Sequence, residues 1–430
     1  MERLTLEQSL LLINKNITTL RLGPKGKDEY DTLYVMFKSF FKLINIDFPQ
    51  GPYKLTLRIP EIKIILEKII DEFTILAFYL GYKEIGLQLS DKLILDENCK
   101  LNKSQVIHNQ KFYVNKLLTL KNEKIQSDIS SGYFPLNPSI IKTNEGYLMS
   151  LRTVNYALTP EGFYTVPSGE SFKQSKNYIL KLDNNLNIIS SNDIIDTDNY
   201  VKYEGANFKG LEDLILFRYN DELWFSCTTL DTNPYKVPQI TLCKLQKTDD
   251  GYRVTLKRPI VLPNNKIEKN WLPVIHDDQI KFIYEYHPFT IKIPMIVSDS
   301  LNGTIGSMDY LKVKYDLNLS RFKGSAAPIE FNLDEKGYLI MVHETFNLSQ
   351  VLRCYLHRFI WLSNSFEIKK MSHPWYFQHH GIEFCRSMCY SHIEDEIILT
   401  YSIHDKDAQW CSVSIEYIKS LLFDLDYFKF

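Results

Sequence analysis

The sequence predicts an all-β five-bladed β-propeller preceded by a small all-α helical-repeat domain, with helices over 1–125 and the propeller over 126–430. Three observations predict it. As far as about Leu120, apolar residues recur at three- and four-residue spacing, the period of an amphipathic helix. After about Gln126 come short runs dense in Tyr, Phe, Ile and Val, separated by turn signals such as "TNEG", "YNDE", "TDDG" and "LDEKG". Within that second regime one layout recurs five times: a polar cluster, an apolar strand, a tight polar turn and a second strand.

In the helical part, "DTLYVMFKSFFKLI" and "PEIKIILEKIIDEFTILAFYLGY" each carry the spacing of a helix, and Pro60 stands at a suitable first helical position. "YKEIGLQLSDKLIL" and "NKSQVIHNQKFYVNKLLTL" each have the length of one helix of a helix-turn-helix repeat, with Asn102 to Ser104 offering caps. An array of this kind serves a protein partner or a dimer contact more often than catalysis.

The five recurring segments are "NPSIIKTNEGYLMSLR", "GLEDLILFRYNDELWFSC", "KNWLPVIHDDQIKFIYEY", "GSAAPIEFNLDEKGYLIMVHE" and "GIEFCRSMCYSHIEDEIILTYS". Their starts fall roughly 55 to 75 residues apart, the size of a four-stranded blade with insertions. A propeller places the start of each innermost strand around one central funnel, so five clusters distant in sequence are expected to meet in space. Such a funnel would collect Asn137, Arg152, Asn155, Glu212, Asp213, Lys269, Asn270, Lys323, Ser325, His343, Glu344, Glu383 and Asp405. Carboxyl groups there can move protons, amides and carboxylates can bind sugar hydroxyls, and Lys, Arg and His can hold phosphate. That mixture suits a carbohydrate phosphate ester.

Composition narrows the partners. Lys and Arg number 50 against 52 Asp and Glu, a formal net charge of -2, so no global field draws the chain to nucleic acid. The longest apolar stretch is interrupted by Glu67, Lys68, Asp71 and Glu72 and cannot span a bilayer. "MERLTLEQSLLLINKN" has acidic residues ahead of a short apolar run and lacks a small-residue cleavage site, the wrong pattern for a secretory signal, so a cytoplasmic location is expected. Seven scattered cysteines fit reduced thiols better than a disulfide framework.

The motifs "NPSI", "GLED", "KNW", "GSAAP" and "IEFCRSM", the last followed by "LTYSIHD", resemble in order and spacing the five blade motifs of glycoside hydrolase family 130, the β-1,2-mannoside phosphorylases and hydrolases. They are also similar to the β-mannosyltransferases of glycosyltransferase family 108. The resemblance covers about residues 130 to 415, and the helical front end looks like a degenerate tetratricopeptide-type array. It implies an inverting reaction with a single catalytic acid, the aspartate of a Gly-x-Glu-Asp-Pro-Arg motif. The matching letters are Gly210, Glu212 and Asp213, which makes Asp213 the proton-transfer group. Leu214 and Ile215 stand where the family keeps Pro and an Arg that helps to hold phosphate, so plain phosphorolysis is in doubt. The intact Lys269, Asn270 and Trp271 imply a retained anion contact.

The resemblance therefore points first to an inverting glycosyltransferase. Asp213 would act on the acceptor, and Lys269, Lys323, His357 and Arg358 would steady the phosphates of a nucleotide-activated, mannose-type donor. The alternatives are a phosphorylase or hydrolase of β-mannosides, or a glycan-binding scaffold that has lost catalysis. No cofactor is expected. His373, His379, His380, Cys385, Cys389 and His392 crowd one stretch, but without the pairing of a zinc site. "DTD", "DLD" and "GPKGK" lack the context of a nucleotide-binding motif.

Overall fold

The computed structural model describes residues 15, 35 and 60–429, apart from 80, 128–130, 160–162, 168–171, 197–202, 204–207, 234, 263–265, 296–304, 348–352 and 394. Of the helix expected in "DTLYVMFKSFFKLI", only Val35, itself helical, falls among these residues. Three helices follow one another, α1 (Pro60–Tyr79), α2 (Lys83–Leu95) and α3 (Lys103–Gln110). α1 opens on Pro60, whose fixed φ suits the first turn. Asn102 caps α3, its side chain accepting from the Ser104 amide.

The remainder is mostly β and propeller-like. Among the described residues five antiparallel units follow in sequence, each a meander built outward from an inner strand. Unit one runs Phe134–Thr143, Gly146–Val154, Lys173–Leu182 and Ile188–Ile195; unit two Glu212–Tyr219, Glu222–Thr229, Gln239–Thr248 and Gly251–Pro259. Unit three runs Leu272–His276, Gln279–Tyr286, Phe289–Met295 and Gly306–Val313. In unit four the inner strand is split into Phe322–Gly324 and Ile329–Glu330, both paired to Gly337–Asn347, and Arg353–Ser363 and Ile368–Met371 follow. Unit five runs Glu383–Tyr390, Glu396–Ile403 and Asp407–Ser414, and its fourth strand, Lys121–Lys124, comes from ahead of unit one.

Local sequence explains the hairpins. Asn220–Asp221 and Asp277–Asp278 form two-residue turns with both residues at positive φ, and His404 and Asp405 take the same region in a three-residue turn over 404–406. Such a pair matches the twist of its flanking strands, and Asn and Asp tolerate it best. The units pack into a nearly closed arrangement, because each meets the next through an apolar cluster. Ile179 meets Phe225 between one and two; Ile240 and Leu242 meet Trp271 and Phe282 between two and three; Ile283 and Phe289 meet Val342 and Ile360 between three and four. Phe359 and Trp361 meet Leu399 and Cys411 between four and five, and Ile398 and Trp410 meet Ile140 and Met149 between five and one. Middle strands are covered on both faces, so "EIILTYSI" is buried throughout instead of alternating.

Towards the axis the inner strands crowd together. A Cβ on Gly324 would stand 2.2 Å from the Asn270 carbonyl, so only glycine lets units three and four approach this closely. Short hydroxyl side chains bind neighbouring units. Ser139 Oγ accepts from the Leu216 amide at 3.0 Å, Ser387 Oγ bonds both backbone groups of Ile140, and Ser325 Oγ donates to the Cys385 carbonyl at 2.5 Å.

The helices dock on unit four. Asp91 of α2 is fully buried and takes a two-pronged contact from Arg358, with Arg358 Nη1 2.7 Å from Asp91 Oδ2. Arg358 Nε donates to Glu344 at 2.6 Å, and His373 Nδ1 lies 2.7 Å from Asp91. Part of the polar surface of α2 is thus spent on the ring instead of on a free groove. No described helix is long and apolar enough to cross a membrane.

Candidate active site

Three inner strands begin with the same backbone device. Asn137, Asp213 and Asn270 have φ of 46°, 55° and 64°, the left-handed region that costs an ordinary side chain free energy and that Asn and Asp bear best. In units one and two the ladder also slips there, between Leu136 and Ser139 and between Glu212 and Ile215. A third slip, between Cys385 and Ser387, frees Arg386 of unit five. Bulges of this kind re-aim a side chain out of the strand's alternation.

Around these residues opens a cavity of about 770 Å³. Of the residues expected from the sequence, Asn137, Arg152, Glu212, Asp213, Lys269, Asn270, Lys323, His343 and Asp405 line it. At its centre, Asp213 Oδ1 accepts from Asn137 Nδ2 at 2.7 Å and from Arg152 Nη1 at 2.5 Å. Asn137 is fixed in turn by Ser402 Oγ, 2.5 Å from its Oδ1. Glu212 lies between Arg152 Nη2 at 3.6 Å and Lys269 Nζ at 3.3 Å. From beneath, Arg386 directs Nε and Nη2 to the Asp213 carbonyl at 3.0 and 2.7 Å.

The two aspartates of the cavity are driven apart. Burial pushes the Asp213 carboxyl up, but Arg152, Arg386, Lys269 and the Asn137 bond together outweigh it and hold the group well below the usual carboxylate range. Asp405 is raised, chiefly by burial and further by the charge of Asp213, against the pull of the Tyr164 bond and Arg152. Tyr164 OH donates to Asp405 Oδ2 at 2.5 Å. Nearby, burial pushes Tyr156 up to about 12, partly offset by Arg152. His343 is held well below its usual range by burial, His357, Lys323 and Arg386, so it is neutral at physiological pH. Arg152, Lys173, Lys269, Lys323 and Arg353 face Glu212, Asp213 and Asp405, a cationic surplus that suits an anionic ligand.

Six expected residues are elsewhere. Arg358 and Glu344 belong to the buried network with Asp91, so neither can reach a donor's phosphates. His357 is fully buried and stacks on Trp375, with ring centroids 5.3 Å apart. Asn155 clamps a local loop, donating to the Phe172 carbonyl and accepting from the Gln174 amide. Ser325 is spent on the stitch to Cys385, and Glu383 accepts the amides of Phe377, Gln378 and His379. Each satisfies a buried partner that would otherwise be orphaned.

Sequence reasoning missed Tyr156, Tyr164, Lys173, Thr345, Arg353, Tyr355 and Phe384 in the lining. Thr345 was within reach, since it alternates with His343 on one strand, and Tyr355 is its cross-strand partner. Tyr156 and Tyr164 sit in the excursion between the second and third strands of unit one, where no periodic signal exists, and Lys173 opens the third strand. The cysteines of the His- and Cys-rich stretch, Cys385 and Cys389, are buried in two different core clusters.

No family model and no curated protein matches the sequence. Solved structures that align with it include a mannose phosphorylase from Leishmania mexicana in complex with phosphate, 10% identical over 72% of this chain and 92% of that one, with a TM-score of 0.41. A GDP-Man-dependent mannosyltransferase from the same organism is 10% identical over 70% and 92%, with a TM-score of 0.42. A family 117 glycoside hydrolase from Zobellia galactanivorans is 9% identical over 69% and 91%, with a TM-score of 0.40. These are distant similarities, and the functional reading rests on the site itself.

Proposed function

We propose that the protein is a carbohydrate-active enzyme on a five-bladed ring, an inverting glycosyltransferase that moves a sugar from a phosphate-activated donor to an acceptor hydroxyl. One observation carries the reading: the carboxylate of Asp213 is pinned through Oδ1 by Asn137 and Arg152 at the floor of a cavity with surplus cations. In this mechanism the acceptor hydroxyl gives its proton to Asp213. Its oxygen bonds the anomeric carbon from the face opposite the donor phosphate, and the bond to the phosphate oxygen breaks with its electrons. Lys269, Lys323 and Arg353 receive the resulting charge, and a phosphate leaving group needs little protonation.

A carboxylate so strongly stabilised is a weak base while the cavity is empty. A bound phosphate that takes Lys269 away from Glu212 reduces the positive field on Asp213 and raises its proton affinity. Basicity thus follows donor binding. Asp405, fixed by the Tyr164 hydroxyl, faces the cavity where it can bind a sugar hydroxyl. A mannose-type, nucleotide-linked donor is the choice that the motif resemblance favours. Leu214 and Ile215, where the resembling family keeps Pro and Arg, are core residues of two different clusters, and the one arginine on Asp213's strand, Arg218, lies outside the cavity lining. That favours transfer over phosphorolysis.

Nucleotide sugars and sugar 1-phosphates offered with free-sugar acceptors, and products read by mass spectrometry, test the reading. Turnover by the wild type and a loss of roughly 10²- to 10⁴-fold in kcat for Asp213→Asn are expected. Donor binding, read as a thermal shift, should persist in the variant. Undiminished turnover in Asp213→Asn would sink the mechanism, and sugar binding without product across the panel would favour the scaffold alternative.

A further inference from the structure

Among the described residues, Arg386 makes no hydrogen bond to a carboxylate. It is 1% exposed, it crosses from the inner strand of unit five to that of unit two, and two of its three nitrogens serve one acceptor, the Asp213 main-chain carbonyl. The third, Nη1, is buried and makes no hydrogen bond among the described residues. A buried cation without a counter-carboxylate is expensive, and an apolar side chain of similar shape would usually serve stability as well or better. Both ends of the contact are bulged residues, and the Asp213 end is strained, at φ 55°. Strain of this sort persists only where surrounding contacts over-determine it.

We infer that Arg386 is a positioning residue for Asp213: its fork holds the strained carbonyl, which fixes where the carboxylate points. The inference rests on the proposed role of Asp213. Groups facing Asp213 are Arg152, Lys269, Glu212, Asp405, Tyr156 and Tyr355; those facing Arg386 are Asp213, Arg152, Cys227, Cys385 and His343. Arg152 binds the carboxylate itself, so the two arginines divide the work. One grips the reacting group, and the other grips the backbone that carries it.

The sign of the pH effect follows. Asp213 has to be ionised to accept a proton, so the acid limb of kcat/KM lies at its pKa. Removing the Arg386 charge raises that pKa and moves the limb to higher pH, whereas a lysine keeps the charge but loses the fork. Wild type, Arg386→Met, Arg386→Lys and Asp213→Asn are compared in sugar transfer across pH and in thermal unfolding. Arg386→Met is expected to melt no lower than the wild type, to lose roughly 100-fold in kcat with little change in KM, and to show the raised acid limb. Arg386→Lys should keep the wild-type limb while kcat falls.

An Arg386→Met variant with wild-type kcat and limb, beside an inactive Asp213→Asn, overturns the inference and leaves the role of Asp213 standing. Should Arg386→Met fail to fold, Arg386→Lys decides: wild-type kcat overturns the inference, and lowered kcat at an unmoved limb supports it. Undiminished turnover by Asp213→Asn overturns the role of Asp213, and the Arg386 inference with it.

Discussion

Asn137 holds Asp213 through its amide hydrogens and is held by Ser402 through its amide oxygen, so its flip state is set by its two neighbours. That bond favours the charged form of Asp213, and its loss has a definite sign. Asn137→Ala should move the acid limb of kcat/KM upward by roughly one pH unit. An unmoved limb would mean that the cations Arg152, Arg386 and Lys269 set the charge without the amide. This much of the site was legible in sequence, because polar residues at the starts of apolar strands are unusual and five such starts in register point to one place. The side chains of Glu383 and Arg386 were not. The bulge between Cys385 and Ser387 reverses the alternation of its strand, so Phe384 lines the cavity while Glu383 caps a loop.

At the scale of an element, α2 shows how a charged residue in an apolar pattern can be glue. "LQLSDKLIL" gives no sign that Asp91 will meet Arg358, 267 positions away, because the pairing exists only once helix and ring have docked. Asp91→Ala strands a buried guanidinium, and a loss of about 3 to 5 kcal/mol in urea unfolding is expected. Asp91→Leu, Arg358→Met and Glu344→Gln together should recover most of it; a triple variant as unstable as the single one would show that the charges are needed. The arginine, glutamate and histidine around Asp91 also set a pH dependence. Burial pushes its carboxyl up, but Arg358 and His373 hold it below the usual range. Its contribution is therefore complete above about pH 4, the unfolded value, and drains away as pH falls further. Acid titration of stability, wild type against Asp91→Asn, checks the sign.

Over the whole molecule, periods of 3.6 and 2 and dipeptides such as Asn220–Asp221 are local signals, which is why helices, strands and hairpins could be read from the chain. Ring closure is not local. The strand Lys121–Lys124 is exposed throughout, with no apolar face to betray it, yet it completes unit five by pairing with Asp407–Ser414. A chain beginning at residue 126 would leave that edge bare and also lose the α2 contact. It is expected to melt lower and to associate through the bare edge, as read by calorimetry and light scattering. Restoring residues 117–125 should suppress the association while recovering only part of the stability.

That closing strand also sets an order of events during synthesis. Lys124 leaves the ribosome long before its partner Asp407, which lies 283 positions later. At about 5 to 20 residues per second the strand waits roughly 15 to 60 seconds with its backbone unpaired. Every unit of the ring can begin to form in that interval, but none of them can seal it, so a nascent chain arrested before unit five is an open arc with two raw ends.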